Sequence, residues 1–254
     1  KIGAQLIISC DCGITAIEQV DYANENNLDF IVTDHHKQKE KLPNALAILN
    51  PNQNKCNYPF KGLCGAGVAF KLCLAVNDRL KLNRDNVYKY LDLVAIATTA
   101  DVMPVLDENR IIIAEGMKRV LNGSNKGIKS LINVSNLNNP GLTVGKLSYW
   151  FIPKINAAGR LGDASRAVKL FTTTNLQLAN EISLDLENEN NKRKAITLQH
   201  ENEAINIINN HIDLDAQKII VLYNTDWHFG IIGIVASRIK ELYNRPTIVM
   251  TEED

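Results

Sequence analysis

Twice within its first 36 residues the chain runs apolar for a few residues and then stops on an acid. Leu6-Ile7-Ile8-Ser9-Cys10 leads into Asp11-Cys12-Gly13, and Phe30-Ile31-Val32 leads into Thr33-Asp34-His35-His36. Runs this short read as buried strands. The stretch between them, Thr15 to Ala23, carries apolar residues at helical spacing and is stopped by Asn24-Glu25-Asn26-Asn27. A strand, a helix and a strand at this spacing dictate a right-handed parallel crossover. Open α/β sheets present their polar chemistry at the carboxyl ends of such strands. Leu93 to Ala100 reads as a further strand of this kind, delivering Asp101 ahead of Val102-Met103-Pro104, and Leu46 to Leu49 as another, ended by Asn50-Pro51.

Three apolar segments therefore each end in an acid or an imidazole. If those ends lie side by side, oxygen and nitrogen donors meet in one crevice, a mixture that suits Mn²⁺ or Mg²⁺ better than a thiolate zinc site. Taken singly, any of these residues reads more simply as a buried polar group satisfied by a neighbour. The charge balance, 28 basic against 28 acidic residues, provides no global field toward nucleic acid, so any such binding must come from a local basic groove. Cys10, Cys12, Cys56, Cys64 and Cys73 show no paired C-x-x-C spacing. They read as reduced, buried small hydrophobes, which implies a cytoplasmic chain. No apolar run approaches the length of a membrane span or a signal peptide.

Asp11-Cys12-Gly13, Asp34-His35-His36 and Ala100-Asp101-Val102-Met103-Pro104 resemble, in order and spacing, three motifs of the DHH phosphoesterase superfamily. Pro153-Lys154-Ile155-Asn156-Ala157-Ala158-Gly159-Arg160 and the block from Trp227 to Arg238 look like the two that mark its exonuclease branch. The resemblance spans nearly the whole chain. It implies a metal-dependent phosphodiesterase that degrades single-stranded DNA from the 5′ end in recombination and repair, using two Mn²⁺ or Mg²⁺ ions. A helicase and a single-strand-binding protein are the implied company, and a monomer is the expected state. Two departures stand out. The superfamily's Asp-rich first motif has no counterpart here, and Lys154 replaces an arginine. The chain opens at Lys1 within a strand approach, so it is expected to be a fragment and, alone, a poor nuclease.

On this resemblance Asp11, His35 and Asp101 are the expected metal ligands. His36 is expected to face the scissile phosphate or the attacking water, and Asp34 to orient a ligand from behind. The competing readings are a phosphodiesterase of small substrates such as oligoribonucleotides or cyclic dinucleotides, and a silent replication scaffold. The distal blocks favour the exonuclease over the first, and the intact Asp34-His35-His36 disfavours the second.

The rest of the chain fills in the architecture. Gly65-Ala66-Gly67 opens an apolar helix through Val76, the two glycines reading as close packing at its start. A helix ending at Asn122-Gly123 follows, then a polar, loop-rich interval to Gly145. In the next block Gly159-Arg160 is expected in a turn that presents the guanidinium. Leu176 to His211 has sparse apolar positions and no Gly or Pro, and reads as one long, largely solvated connecting helix. A second α/β unit then follows: strand Lys218 to Tyr223, a turn through Trp227-His228-Phe229-Gly230, helix Ile231 to Tyr243, and strand Thr247 to Met250. Gly230 and Gly233 are expected to offer free backbone N–H groups to an anion. Trp227 and Phe229 have the chemistry to stack on bases; the plainer reading places both rings in the core, Phe229 above all. Arg160, Asn156, Trp227, His228, Gly230, Gly233 and Ser237 together form the expected DNA- or phosphate-binding set.

The expected fold is therefore α/β: a parallel-sheet DHH domain over 1–175, a connector helix over 176–211, and a smaller DHHA1-like α/β domain over 212–254.

Overall fold

The computed structural model describes residues 3–137, 141–161 and 163–252; Gly162, at the end of the first distal block, lies outside them. They divide into two compact units. The first takes the chain up to Asn125 together with a segment ending at Ser148, and the second takes the stretch opening at Lys126 and everything from Tyr149 onward.

In the first unit β1 (Leu6–Cys10), α1 (Ile17–Glu25), β2 (Asp29–Thr33) and β3 (Ala47–Leu49) build a parallel sheet in the order β1-β2-β3. Ile7 pairs with Phe30 and Val32 with Ile48, so the sheet is in register across its apolar centre. Val20 and Ala23 on α1 pack with Phe30 and Val32 on β2. This packing follows from the crossover, because a helix joining parallel strands must lie on one face of their sheet. Within this sheet β1 is one of the two edge strands, and its Leu6 and Ile8 are 44% and 52% exposed.

The helices α2 (Gly65–Arg79), α3 (Asp85–Tyr88), α4 (Leu91–Ala100) and α5 (Asp107–Asn122) belong to the same unit. They share a core of Leu63, Val68, Phe70, Val87, Val94, Ala95 and Ile112. The segment expected as a strand ahead of Asp101 is thus the helix α4. Val94, Ala95, Ile96 and Thr98 are all buried there, so the helix shows no polar face, and a short apolar run without a face carries no readable period. At the end of α5, Gly123 takes φ 65°, the left-handed cap that Asn122-Gly123 announces.

Three further helices lie after α5: α6 (Lys126–Val134), α7 (Val144–Lys146), and, beyond a π-helical turn at Leu147–Phe151, α8 (Ile152–Leu161). The first of them falls in the interval expected to be loop. It is held by buried Ile128 and Leu131, and by Gly127, where a methyl group would overlap the carbonyl of Leu170. Arg160 lies in the last turn of α8, not in a turn between elements. Lys154 on the same helix is 4% exposed and paired with Glu187.

Next come α9 (Ser165–Thr172) and α10 (Leu176–His211), the latter capped by Asn175, whose side chain accepts from the N–H groups of Gln177 and Leu178. Its ends fall where the sequence places them, but its role differs from that of a solvated connector. Ala179, Ile182, Ser183, Leu186, Asn190, Thr197, His200, Ala204 and Ile208 are buried in one stripe, against α6, α8, α9 and α11 (Phe229–Tyr243). The stripe mixes apolar with small and polar residues, which is why its apolar positions look sparse. The compact units accordingly do not part at 175 or 211, since α6, α8 and α9 group with α10. β4 (Ile220–Tyr223) and β5 (Thr247–Met250) form a parallel two-stranded sheet. With α11 and α10 they enclose Ile220, Leu222, Trp227, Ile231, Val235, Ile239, Ala204 and Ile208.

All five cysteines are free. Only Cys64 is buried; Cys10, Cys12 and Cys73 are exposed and Cys56 is intermediate, contrary to the expectation of core thiols. No helix among the described residues is long and apolar enough to cross a membrane.

Candidate functional site

Asp11 leaves β1 in the left-handed region, φ 63°, its N–H bonded to the carbonyl of Thr33 at 2.9 Å. Aspartate tolerates that conformation better than most side chains. Here it turns the chain out of the sheet directly beside the end of β2. Two residues on, Gly13 has φ 111°, and a Cβ there would lie 2.6 Å from the Ser9 hydroxyl. On the other side stands Gly65, the first residue of α2, where a methyl group would overlap both the Cα and the carboxylate of Asp11. The glycine read as close packing thus packs on a candidate ligand. Asp101 caps the carboxyl end of α4, followed by Val102 at φ 52° and 88% exposed. A β-branched residue with positive φ is a strained conformation.

These three turns bring their side chains together. Nε2 of His35 lies 3.2 Å from Oδ1 of Asp11 and 3.3 Å from Oδ2 of Asp101. It is buried and makes no aligned hydrogen bond, while both carboxylates are largely open to solvent. An imidazole nitrogen has at most one proton and cannot serve two carboxylates with it. A nitrogen lone pair flanked by two carboxylates offers donors of the kind a divalent cation takes, and the residues therefore fit the metal that the motifs imply. The group whose ligand atoms all lie within 4.8 Å of one another is Asp11, His35 and His36, without Asp101.

Asp34 stands behind this array, 1% exposed. It accepts from the N–H groups of Ile14 at 2.9 Å, His35 at 2.7 Å and His36 at 3.2 Å, and its Oδ1 lies 2.7 Å from Nδ1 of His36. Burial alone would push this carboxyl up, but the hydrogen bonds from Ile14 and from the ring and backbone of His36 and His35 outweigh it and hold it below the usual range. The same contact raises His36, against a smaller opposing effect of burial. With Nδ1 engaged, the His36 ring faces outward through Nε2. The sequence reading passed over two residues here. Asn50 donates to the carbonyl of His36 at 2.9 Å and Asn52 to that of His35 at 2.6 Å. The signal was the Asn50-Pro51-Asn52 break directly after β3.

The second unit gathers part of the expected phosphate-binding set. Arg160 donates through Nη1 to the carbonyl of Gly230 at 3.0 Å. His228 caps α11, its Nδ1 accepting from the N–H of Gly230 at 3.0 Å, so that N–H is not free for an anion as expected. Ser237 is exposed on α11, its hydroxyl bonded to the carbonyl of Gly233, and Gly233 has open space around it. Asn156 is exposed on α8. The two aromatic residues exchange their expected places. Trp227 is 2% exposed with its indole N–H on Glu203 at 2.7 Å, so it has no face to offer a base, whereas Phe229 is 60% exposed.

Residues 3–98 match the DHH family, N-terminal domain. The chain's similarity to known proteins runs well beyond that match. The chain is 39% identical over 261 residues to the single-stranded-DNA-specific exonuclease RecJ of Haemophilus influenzae, covering 99% of this chain and 45% of that protein. It is 38% identical over 259 residues to the RecJ of Escherichia coli, covering 97% and 45%. The crystal structure of RecJ in complex with Mn²⁺ from Thermus thermophilus superposes with a TM-score of 0.85 at 32% identity, over 97% of this chain and 36% of that one. The chain thus spans less than half the length of these relatives.

Proposed function

We propose that this chain supplies the metal-binding and phosphate-binding groups of a 5′→3′ exonuclease of single-stranded DNA, acting in the cytoplasm in recombination and repair. The observation that carries the proposal is the buried, unbonded Nε2 of His35 between the carboxylates of Asp11 and Asp101. These three residues would hold a Mn²⁺ or Mg²⁺ ion. A cation so held supplies Lewis acidity toward the phosphodiester and its attacking water. Asp34 fixes His36 through Nδ1 and leaves Nε2 to donate to the scissile phosphate when protonated, or to accept from the attacking water when neutral. In the second unit Arg160 and its neighbours hold the DNA backbone, positioning the strand without reading its sequence. The RecJ relatives, named single-stranded-DNA-specific exonucleases, support the substrate, and the direction follows from the resemblance of the distal blocks. The expected associates are a helicase and a single-strand-binding protein, with the chain itself a monomer.

The test is calorimetric titration with Mn²⁺ alongside release of nucleotides from single- and double-stranded DNA. His35→Ala is expected to weaken Mn²⁺ by roughly 100-fold or more, since removing a ligand exceeds the effect of removing its support. The slow release of nucleotides from single strands should disappear with it. Wild-type Mn²⁺ affinity in a folded His35→Ala would reject the assignment.

A further inference from the structure

The second unit holds a buried histidine that this chemistry does not use. His200 on α10 is 5% exposed, and its Nε2 accepts the backbone N–H of His228 at 3.2 Å. That nitrogen must carry the lone pair, so in the neutral ring the proton sits on Nδ1. Nδ1 is buried without an aligned hydrogen bond, and Oε2 of Glu203 faces it at 3.5 Å. Glu203 is itself fixed, by Gln199 at 2.9 Å and by the indole of Trp227 at 2.7 Å. The Gln199 bond, against some burial, combines with Trp227 and His200 to hold the carboxyl below its ordinary range. An anionic carboxylate therefore stands opposite the Nδ1 proton.

The chain of bonds continues outward. His228 receives the N–H of Gly230 on Nδ1, so the proton of its neutral ring sits on the exposed Nε2. The carbonyl of Gly230 accepts from Arg160. A methyl at Gly230 would overlap the Arg160 carbonyl and come within 3.3 Å of Cε1 of His228, so one glycine lies against both residues. Protonating Nδ1 of His228 would remove the cap of α11 and place a cation at the positive end of its dipole. The pKa of Arg193, half buried on α10, is lowered by burial first and then by the nearby guanidiniums of Arg160 and Arg238, the latter paired with Glu201.

We infer that Glu203 and His200 are positioning residues: His200 holds the His228 backbone where the ring's Nδ1 accepts from the Gly230 N–H, and that bond keeps His228 as the neutral Nε2–H tautomer, presenting an N–H donor beside Arg160 to an oxygen of a phosphate-class anion. The identity of the anion rests on the nucleic-acid function proposed above. The tautomer rests on hydrogen bonds alone.

The test uses the 254-residue chain with ¹⁵N-labelled histidine, the His228 signals being assigned among the five histidines by His228→Asn, which keeps a capping side chain. Long-range ¹H–¹⁵N spectra separate the two tautomers. The wild type is expected in the Nε2–H form, His200→Phe as a mixture, and His200→Gln, whose oxygen can accept the His228 N–H, in the wild-type form. Affinity for a 5′-phosphorylated single-stranded oligonucleotide, measured by anisotropy in chelator, should fall about tenfold in His200→Phe and in His228→Asn. In His200→Gln it should stay within about twofold of wild type. An unchanged His228 tautomer in a His200→Phe protein with native circular dichroism overturns the inference. A changed tautomer with unaltered affinity overturns the assignment of that N–H to the anion. Failure of the wild type to bind single strands would instead overturn the proposed function, and the spectra would still decide the tautomer.

Discussion

At the scale of single residues the site depends on groups that carry no chemistry of their own. Gly65 is the sharpest case, because its missing side chain is the space in which the Asp11 backbone and carboxylate stand. Gly65→Ala is expected to displace Asp11, destabilise the chain by about 1–3 kcal/mol and abolish Mn²⁺ binding. Thermal melting paired with Mn²⁺ titration checks this, and retained affinity would show that Asp11 is not a ligand. Asp34, His35 and His36 were legible in the sequence because an apolar run delivers them to a strand end. Gly65 was legible only as a packing residue, since nothing in a linear pattern says what a glycine packs against. The exchange between Trp227 and Phe229 has a similar cause. Neighbouring aromatic residues look alike until α10 supplies Glu203 as partner for one indole.

At the scale of elements, the polar contacts that join helices can be tested by their pH dependence. Lys71 on α2 pairs with Glu108 on α5, which also accepts from the Tyr58 hydroxyl at 2.5 Å. Burial pushes the Glu108 carboxyl up, but Lys71 and Tyr58 together pull it below its ordinary value of 4.5. A depressed carboxyl contributes stability that is full above its unfolded value and is lost as the pH falls through the folded one. The melting temperature of the wild type should therefore drop on acidification below about pH 4.5, and Lys71→Met should flatten part of that drop, for a pair that contributes about 1 kcal/mol or less. Parallel pH profiles would dismiss the contribution. Element by element, β1, β2, α10 and β5 form where alternation, caps and breaks place them. The helix α4 was missed because its middle is buried with no polar face, and α6 because its two large buried apolar residues, Ile128 and Leu131, make too short a pattern.

At the scale of the whole molecule, His35 and the carboxylates beside it offer donors for one cation, too few for the two that the motifs imply. The edge of β1 leaves Leu6 and Ile8 exposed and can pair with a further strand. Extending the chain there with a strand that ends in an Asp-rich motif should raise the Mn²⁺ stoichiometry from about one to about two and speed hydrolysis by several powers of ten. Equal turnover with and without the extension would place the missing ligands inside these 254 residues. The two compact units also share the chain in an interleaved way. It crosses from one to the other after Asn125, returns before α7, and crosses again after Ser148. Neither unit is therefore a contiguous cassette. A single protease cut between them leaves other covalent links in place, and no single splice exchanges one unit for that of another protein. Recombination between genes would have to carry the pair together, so the cluster at Asp11 and His35 and the corner around Arg160 descend as one inheritance.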